Sequence, residues 1–188
     1  MTAGRLLRAD DRPASRWLNG GGVTREIAAG PSGAGLGDFA WRVSLADVEQ
    51  GGPFSSFPGV DRTIMVVDGP GMELTVDGVA HTVADPYEPF VFSGDAVTDC
   101  RLLDGPIVDF NVMTRRAVAT ADVRVVREGF TVAPRKGAVT LVIALTGTVT
   151  VDESGATLDR FDAAVLSEGD AATVHVDGAA AVVTVTPA

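Results

Sequence analysis

The chain has 188 residues, 46% of them hydrophobic and 21% charged, which is enough for one sizeable core or two small fused ones and too apolar for disorder. Its 25 acids against 15 bases leave a net charge of −10, with Lys136 the only lysine, so a phosphate-tracking nucleic-acid surface is excluded on charge. The single cysteine, Cys100, rules out an internal disulfide framework. No stretch has the apolar length of a signal peptide or a membrane span, so a soluble, cytoplasmic protein without membrane partners is expected.

In chain order, short strand-like runs alternate with Gly, Asp and Pro punctuation. The first half offers Val23 to Ala28, Phe39 to Ser44, Thr63 to Val67, Met72 to Val76, Phe90 to Ser93, Cys100 to Leu103 and Ile107 to Val112. The second half offers Val123 to Val126, Val139 to Leu145, Thr148 to Val151, Ala163 to Leu166, Ala172 to Val176 and Ala181 to Val185. Asp77-Gly78 and Asp177-Gly178 read as two-residue hairpin turns. One short helix is allowed over Leu45 to Gln50, capped by Ser44 and stopped by Gly51-Gly52.

A weak internal repeat sets the domain organisation. TIMVVDGPGMELTVDG, followed later by PFVFSGD, is echoed by TLVIALTGTVTVDESG, followed later by AAVLSEGD. Two such units predict an all-β bicupin, two tandem β-barrel or jelly-roll domains, the first over 1–116 and the second over 117–188; a single sandwich is the alternative. The second half would serve as packing or dimer surface. With a net charge of −10, any homodimer should join through strand edges or apolar patches rather than charge.

Polar residues inside strand segments concentrate in the first half. Alternation places Arg42 with Ser44, Thr24 with Glu26, and Asp109 with Asn111. Pointing into a barrel they would need partners, because a buried unpaired charge costs several kcal/mol; facing solvent they would need none. The strands of the second half, rich in Val, Ala, Thr and Leu, carry no equivalent set. His81 and His175 stand alone, one in each half, so no metal and no cofactor is expected. In WLNGGGVTREI, Trp17 to Ile27, three successive glycines imply positive φ or a close approach to the backbone.

WLNGGGVTREI, FAWRVSLADVEQGGPFSSFPGVDRTIMVVDGPGMELTVDG, PFVFSGD and DGPIVDFNVM together resemble the HutD/Ves family, strongly from about Trp17 to Arg116 and only in style beyond. The resemblance implies a metal-free bicupin associated in bacteria with histidine utilisation, binding a small intermediate such as urocanate or a formyl- or formimino-glutamate and restraining the pathway. No firm reaction comes with it. Family signature positions fall on Trp17, Asn19, Gly20, Gly21, Thr24, Arg42, Ser44, Phe54, Ser55, Phe57, Gly59, Arg62, Phe92, Asp109 and Asn111. The glycines would let Trp17 and Asn19 fold over a barrel mouth, opposite a lip formed by Pro53 to Arg62. Arg42 and Arg62 are then the candidates for a ligand carboxylate, through the planar guanidinium fork; internal pairing with Glu26, Asp61 or Asp109 competes for either. An alternative function is that of a metal-free enzyme, an isomerase or epimerase of small acids using Glu26 or Asp109 as base.

Overall fold

β-Branched residues at every second position favour a pleated, half-buried surface, and the chain folds accordingly. The computed structural model describes residues 4–188, the side chain of Glu153 excepted, and contains no α-helix among them. Numbered in chain order, the strands are β1 Arg5–Leu7, β2 Ala14–Arg16, β3 Gly22–Gly30, β4 Trp41–Val48, β5 Gly52–Pro53, β6 Val60–Asp68, β7 Met72–Val76, β8 Val79–Val83, β9 Phe90–Ser93, β10 Thr98–Leu102, β11 Ile107–Arg115, β12 Ala119–Val126, β13 Phe130–Val132, β14 Val139–Val151, β15 Ala156–Leu158, β16 Ala163–Leu166 and β17 Ala172–Pro187. A 3₁₀ turn, Asp152–Ser154, joins β14 to β15.

The chain divides into two compact units. One is Pro13–Val118; the other joins the residues up to Arg12 with Ala119–Ala188. The expected boundary at 116/117 thus falls at 118/119, and the N-terminal segment belongs with the second half. The cause is pairing: Arg5, Leu6 and Leu7 lie antiparallel to Val165, Ala164 and Ala163 of β16. Three residues are too short to show a period in the sequence.

In the unit Pro13–Val118, a sheet of order β2-β3-β4-β11-β6-β9 packs on one of order β5-β10-β7-β8. Their shared core holds Ala46, Val48, Ile64, Val66 and Phe92 from the first sheet and Met72, Leu74, Val83 and Cys100 from the second. The helix allowed over Leu45 to Gln50 does not form. Strand β4 runs on through Val48 because it is hydrogen-bonded on both sides, Leu45 facing Arg25 of β3 and Phe110 of β11. Two ladders outweigh a single short helical turn, whose nucleation is unfavourable.

In the other unit, β14 and β17 pair along almost their whole length, from Val139 opposite Val185 to Val151 opposite Val174. Asp177-Gly178 is therefore no hairpin turn but part of β17. Gly178 lies opposite Gly147 with φ +127°, and a Cβ on Gly147 would stand 1.8 Å from the Asp177 carbonyl oxygen, so only glycine fits this close approach. Leu141, Val142, Ile143, Ala144 and Leu145 are fully buried there. This unit also carries more polar structure than expected. A cavity of about 600 Å³ is lined by Arg8, Asp10, Asp11, Asp159, Arg160 and Asp162, among others. Buried Asp162 accepts from Ala9 N at 2.7 Å, Arg8 Nη1 at 2.6 Å and Asp159 N at 3.1 Å. Half of that cluster comes from the N-terminal segment, which the sequence reading placed with the other half.

Candidate functional site

Strand register turns the polar residues of the unit Pro13–Val118 into a pattern of rows across one sheet face. One row runs Arg42, Met113, Arg62, Phe92; the next Glu26, Ser44, Asn111, Ile64, Phe90; the next Thr24, Ala46, Asp109, Val66. Ala46, Ile64, Val66 and Phe92 of these rows belong to the core between the two sheets, so the face points inward. Of the side chains that alternation grouped, Ser44 and Asp109 are buried in this interior and Thr24, Arg42 and Asn111 half-buried, whereas Glu26 is exposed, its side chain 42% accessible. Ser44 is 2% exposed, Asp109 3% and Arg62 6%.

The two candidate arginines differ in their company. Arg42 donates from Nε to Glu26 Oε2 at 2.8 Å and from Nη1 to Ser44 Oγ at 3.4 Å, so its charge is matched. Arg62 has no acid within salt-bridge distance among the described residues, and its Nε has no acceptor. Its guanidinium carbon lies 4.9 Å from the ring centre of Phe54, 5.0 Å from Phe92 and 5.7 Å from Phe57. These rings supply cation–π attraction but no hydrogen-bond acceptor. Burial pulls the Arg62 guanidinium down to about 10, with Asp109 opposing that shift and Arg42 adding to it.

Two acceptors on the same face are also unsatisfied, Asp109 Oδ1 and Asn111 Oδ1. Burial pushes the Asp109 carboxyl up to about 7, against the pull of Arg62 and with a further push from Asp47. From the opposing sheet, Cys100 feels Asp109; its thiol is raised to about 11 by burial first, then by Asp109 and Asp99. Three orphaned buried polar atoms on one inner face are unusual, since nearly all such groups find partners.

The glycine-rich segment has a structural account. Gly20, at φ +72°, turns the hairpin between β2 and β3, and Asn19 Oδ1 accepts from Gly21 N at 3.0 Å. Gly21 O accepts from Glu49 N and Gln50 N. A Cβ on Gly22 would stand 2.5 Å from Asp47 O and 3.1 Å from the Trp17 ring. Trp17 is half-buried against the core between the sheets, and its indole N–H donates to Thr24 Oγ1 at 2.8 Å. Trp17 is thus an inner wall, whereas Asn19 and Ser55 are exposed and away from it. Phe57 sits beside Arg62 with its backbone N–H on Gly94 O at 2.8 Å. We expect Gly22→Ala to destabilise this unit by about 1–3 kcal/mol, because the new methyl meets backbone, and to displace Trp17, read as a shift in tryptophan emission during urea titration.

Phe54 and Cys100 complete the interior. Phe54 stood among the family positions; nothing in TDCRLL marked Cys100 as facing an acid across two sheets. Among the described residues no group of three or more His, Cys, Asp or Glu side chains is placed to hold a metal ion. No helix among them is long and apolar enough to cross a membrane.

Two packed antiparallel sheets enclosing an inward polar face define a cupin-fold protein, and the cupin 2 conserved barrel domain protein of Leptotrichia buccalis has the same fold, with a TM-score of 0.62 at 10% identity over 100% of this chain and 98% of that one. The HutD family model matches residues 9–184. The chain belongs to the HutD family. It is 48% identical over 113 residues, 60% of its length and 59% of the relative's, to an uncharacterized 21.2 kDa protein in the hutC 3′ region of Pseudomonas putida. It is 40% identical to protein Ves of Citrobacter koseri, over 70% of this chain and 69% of that one. HutD from Pseudomonas fluorescens SBW25, solved in a formate condition, superimposes with a TM-score of 0.87 at 35% identity, over 99% of this chain and 100% of that one.

Proposed function

We propose that the unit Pro13–Val118 binds a small carboxylate on Arg62 and that the protein serves histidine utilisation as a regulatory binding protein, with urocanate or a formyl- or formimino-glutamate as candidate ligands. The supporting observation is a buried guanidinium walled by Phe54, Phe57 and Phe92, with no acid in contact among the described residues and an Nε that lacks an acceptor. A buried charge left alone is costly, and a carboxylate is the planar acceptor that an arginine fork matches. Family membership supports the connection to histidine utilisation.

The test is Arg62→Met, which keeps length and apolar bulk while removing charge and donors. Calorimetric titration with formate, urocanate and formylglutamate should show the best ligand of the parent weakened ten- to a hundredfold, the loss of about 1.5–3 kcal/mol expected of a charge-assisted hydrogen bond. Arg42→Ala should weaken it less, because Glu26 and Ser44 already occupy Arg42. Binding by Arg62→Met equal to the parent would overturn the assignment.

A second reading is favoured by Asp109, a buried carboxyl near 7 that is suited to accept a proton from a bound acid. Solvent deuterium entering a candidate ligand during incubation, lost in Asp109→Asn, would mark the protein as an enzyme rather than a binder.

A further inference from the structure

Arg62 and Asp109 are both withdrawn from water on the inner face, and no contact among the described residues neutralises either. Arg62 lacks an acid partner among the described residues, and Asp109 Oδ1 lacks a donor. The other charges around Asp109 are already committed. From β3, Glu26 is held by Arg42 of β4 at 2.8 Å. From the outer face of β4, Asp47 is paired with Arg25. From β10, Cys100 presents a neutral thiol, held at about 11. The one histidine of this unit, His81 of β8, lies with its ring 4.9 Å from that of Phe90.

A carboxylate arriving on Arg62 would put a second negative charge in this enclosure with no free cation to balance it. Two carboxyl groups sharing a desolvated site do not both stay ionised, and the weaker acid takes up a proton. The free ligand is an ordinary acid near 4, whereas burial already holds Asp109 at about 7. Protonation also answers a separate vacancy in the hydrogen bonding, since an Asp109 O–H is a donor on the face where Asn111 Oδ1 has none.

We propose that this interior takes up an anion and a proton together: Arg62 holds the ligand carboxylate while Asp109 becomes a carboxylic acid whose O–H donates within the inner polar face. The proposal rests on the reading of Arg62 as a carboxylate site. The proton comes from solvent, so binding is linked to pH although the ligand itself does not titrate in the range concerned.

The experiment is calorimetric titration of the full chain with sodium formate between about pH 6 and pH 8.5, in paired buffers of different ionisation enthalpy. Near pH 8 the buffer dependence should report close to one proton taken up per formate, and Kd should weaken roughly tenfold from pH 6 to pH 8, as linkage to one group near 7 requires. Asp109→Asn, neutral at every pH, should bind with a flat pH profile, and His81→Gln should keep the profile of the parent. A parent Kd independent of pH with no proton uptake would overturn the proposal while leaving carboxylate binding intact, and so would a pH dependence that survives in Asp109→Asn. If Asp109→Asn does not fold, the buffer pair on the parent still decides. Failure of the parent to bind formate, urocanate or formylglutamate at any pH would overturn both this proposal and the carboxylate reading beneath it.

Discussion

Between about pH 4 and pH 8 the urea stability of Asp109→Asn relative to the parent should improve by up to about 4 kcal/mol, because burial raises the Asp109 carboxyl from 3.8 to about 7 and each pH step of that rise is worth roughly 1.4 kcal/mol. Asp109 has an ordinary value of 3.8 and is held at about 7 by burial. Below about pH 4 the carboxyl is protonated in folded and unfolded chain alike, and its titration contributes no difference. Between about pH 4 and pH 7 the folded chain keeps a proton that the unfolded chain has lost, so the parent loses stability as pH rises; above about pH 7 the penalty is complete. Asparagine has nothing to ionise and escapes it. The quantity to measure is the gap between variant and parent at pH 8 minus the gap at pH 4, which cancels changes in packing and hydrogen bonding that do not titrate. Tryptophan fluorescence is a suitable probe, because Trp17 and Trp41 both lie in this unit. An equal gap at both pH values would mean that Asp109 is not held above its ordinary range.

A buried carboxyl with an unpartnered Oδ1, held by burial at about 7, is the feature that the proposed site would use. An asparagine in its place would have nothing to ionise and would not carry that penalty. Arg62 obeys the same logic from the opposite sign. The two groups sense each other, yet stay beyond salt-bridge distance, with Ser44 and Asn111 on the row of the sheet between them. A directly paired Arg62 and Asp109 would neutralise each other; held apart, each keeps a buried atom without a partner, as the proposed carboxylate site requires.

Much of this face was legible in the sequence, because strand alternation is local. Arg42 with Ser44, Thr24 with Glu26 and Asp109 with Asn111 are sorted by a period of two alone. What alternation cannot supply is which way a face points, and here the inner face carries polar residues while the outer face carries Val43, Leu45, Phe110 and Val112, all buried as well. Both faces being buried removed the contrast that a one-sided sheet provides. The choice between Arg42 and Arg62 was likewise out of reach. It depends on Glu26 of β3 reaching Arg42 across the ladder, and on the loop before β6 folding Phe54 and Phe57 back onto Arg62, neither of which a period of two encodes. The exchange of the N-terminal strand into the other unit was hidden for a related reason, since three residues pairing with a partner some 160 positions away leave no local signal.

The aromatic wall around Arg62 leads to the other large expected effect. Phe92 lies directly across the ladder from Arg62, is 7% exposed, and stands 5.9 Å from Phe90 and 6.4 Å from Phe54. Phe92→Ala should cost about 3–5 kcal/mol in urea unfolding, the range for deleting a buried phenyl ring and leaving a cavity. Phe92→Leu restores most of the volume and should cost less than about 1.5 kcal/mol. The two variants separate packing from recognition. Leucine keeps water out of the interior but offers no π face, so any weakening of formate binding in Phe92→Leu at near-parent stability measures what the ring does for the guanidinium, expected at about 0.5–2 kcal/mol. A Phe92→Ala variant as stable as the parent would mean that the interior around Arg62 is loosely filled. A Phe92→Leu variant that binds formate as tightly as the parent would assign the Phe92 ring to packing alone, and leave only Phe54 and Phe57 to hold the Arg62 guanidinium by cation–π contact.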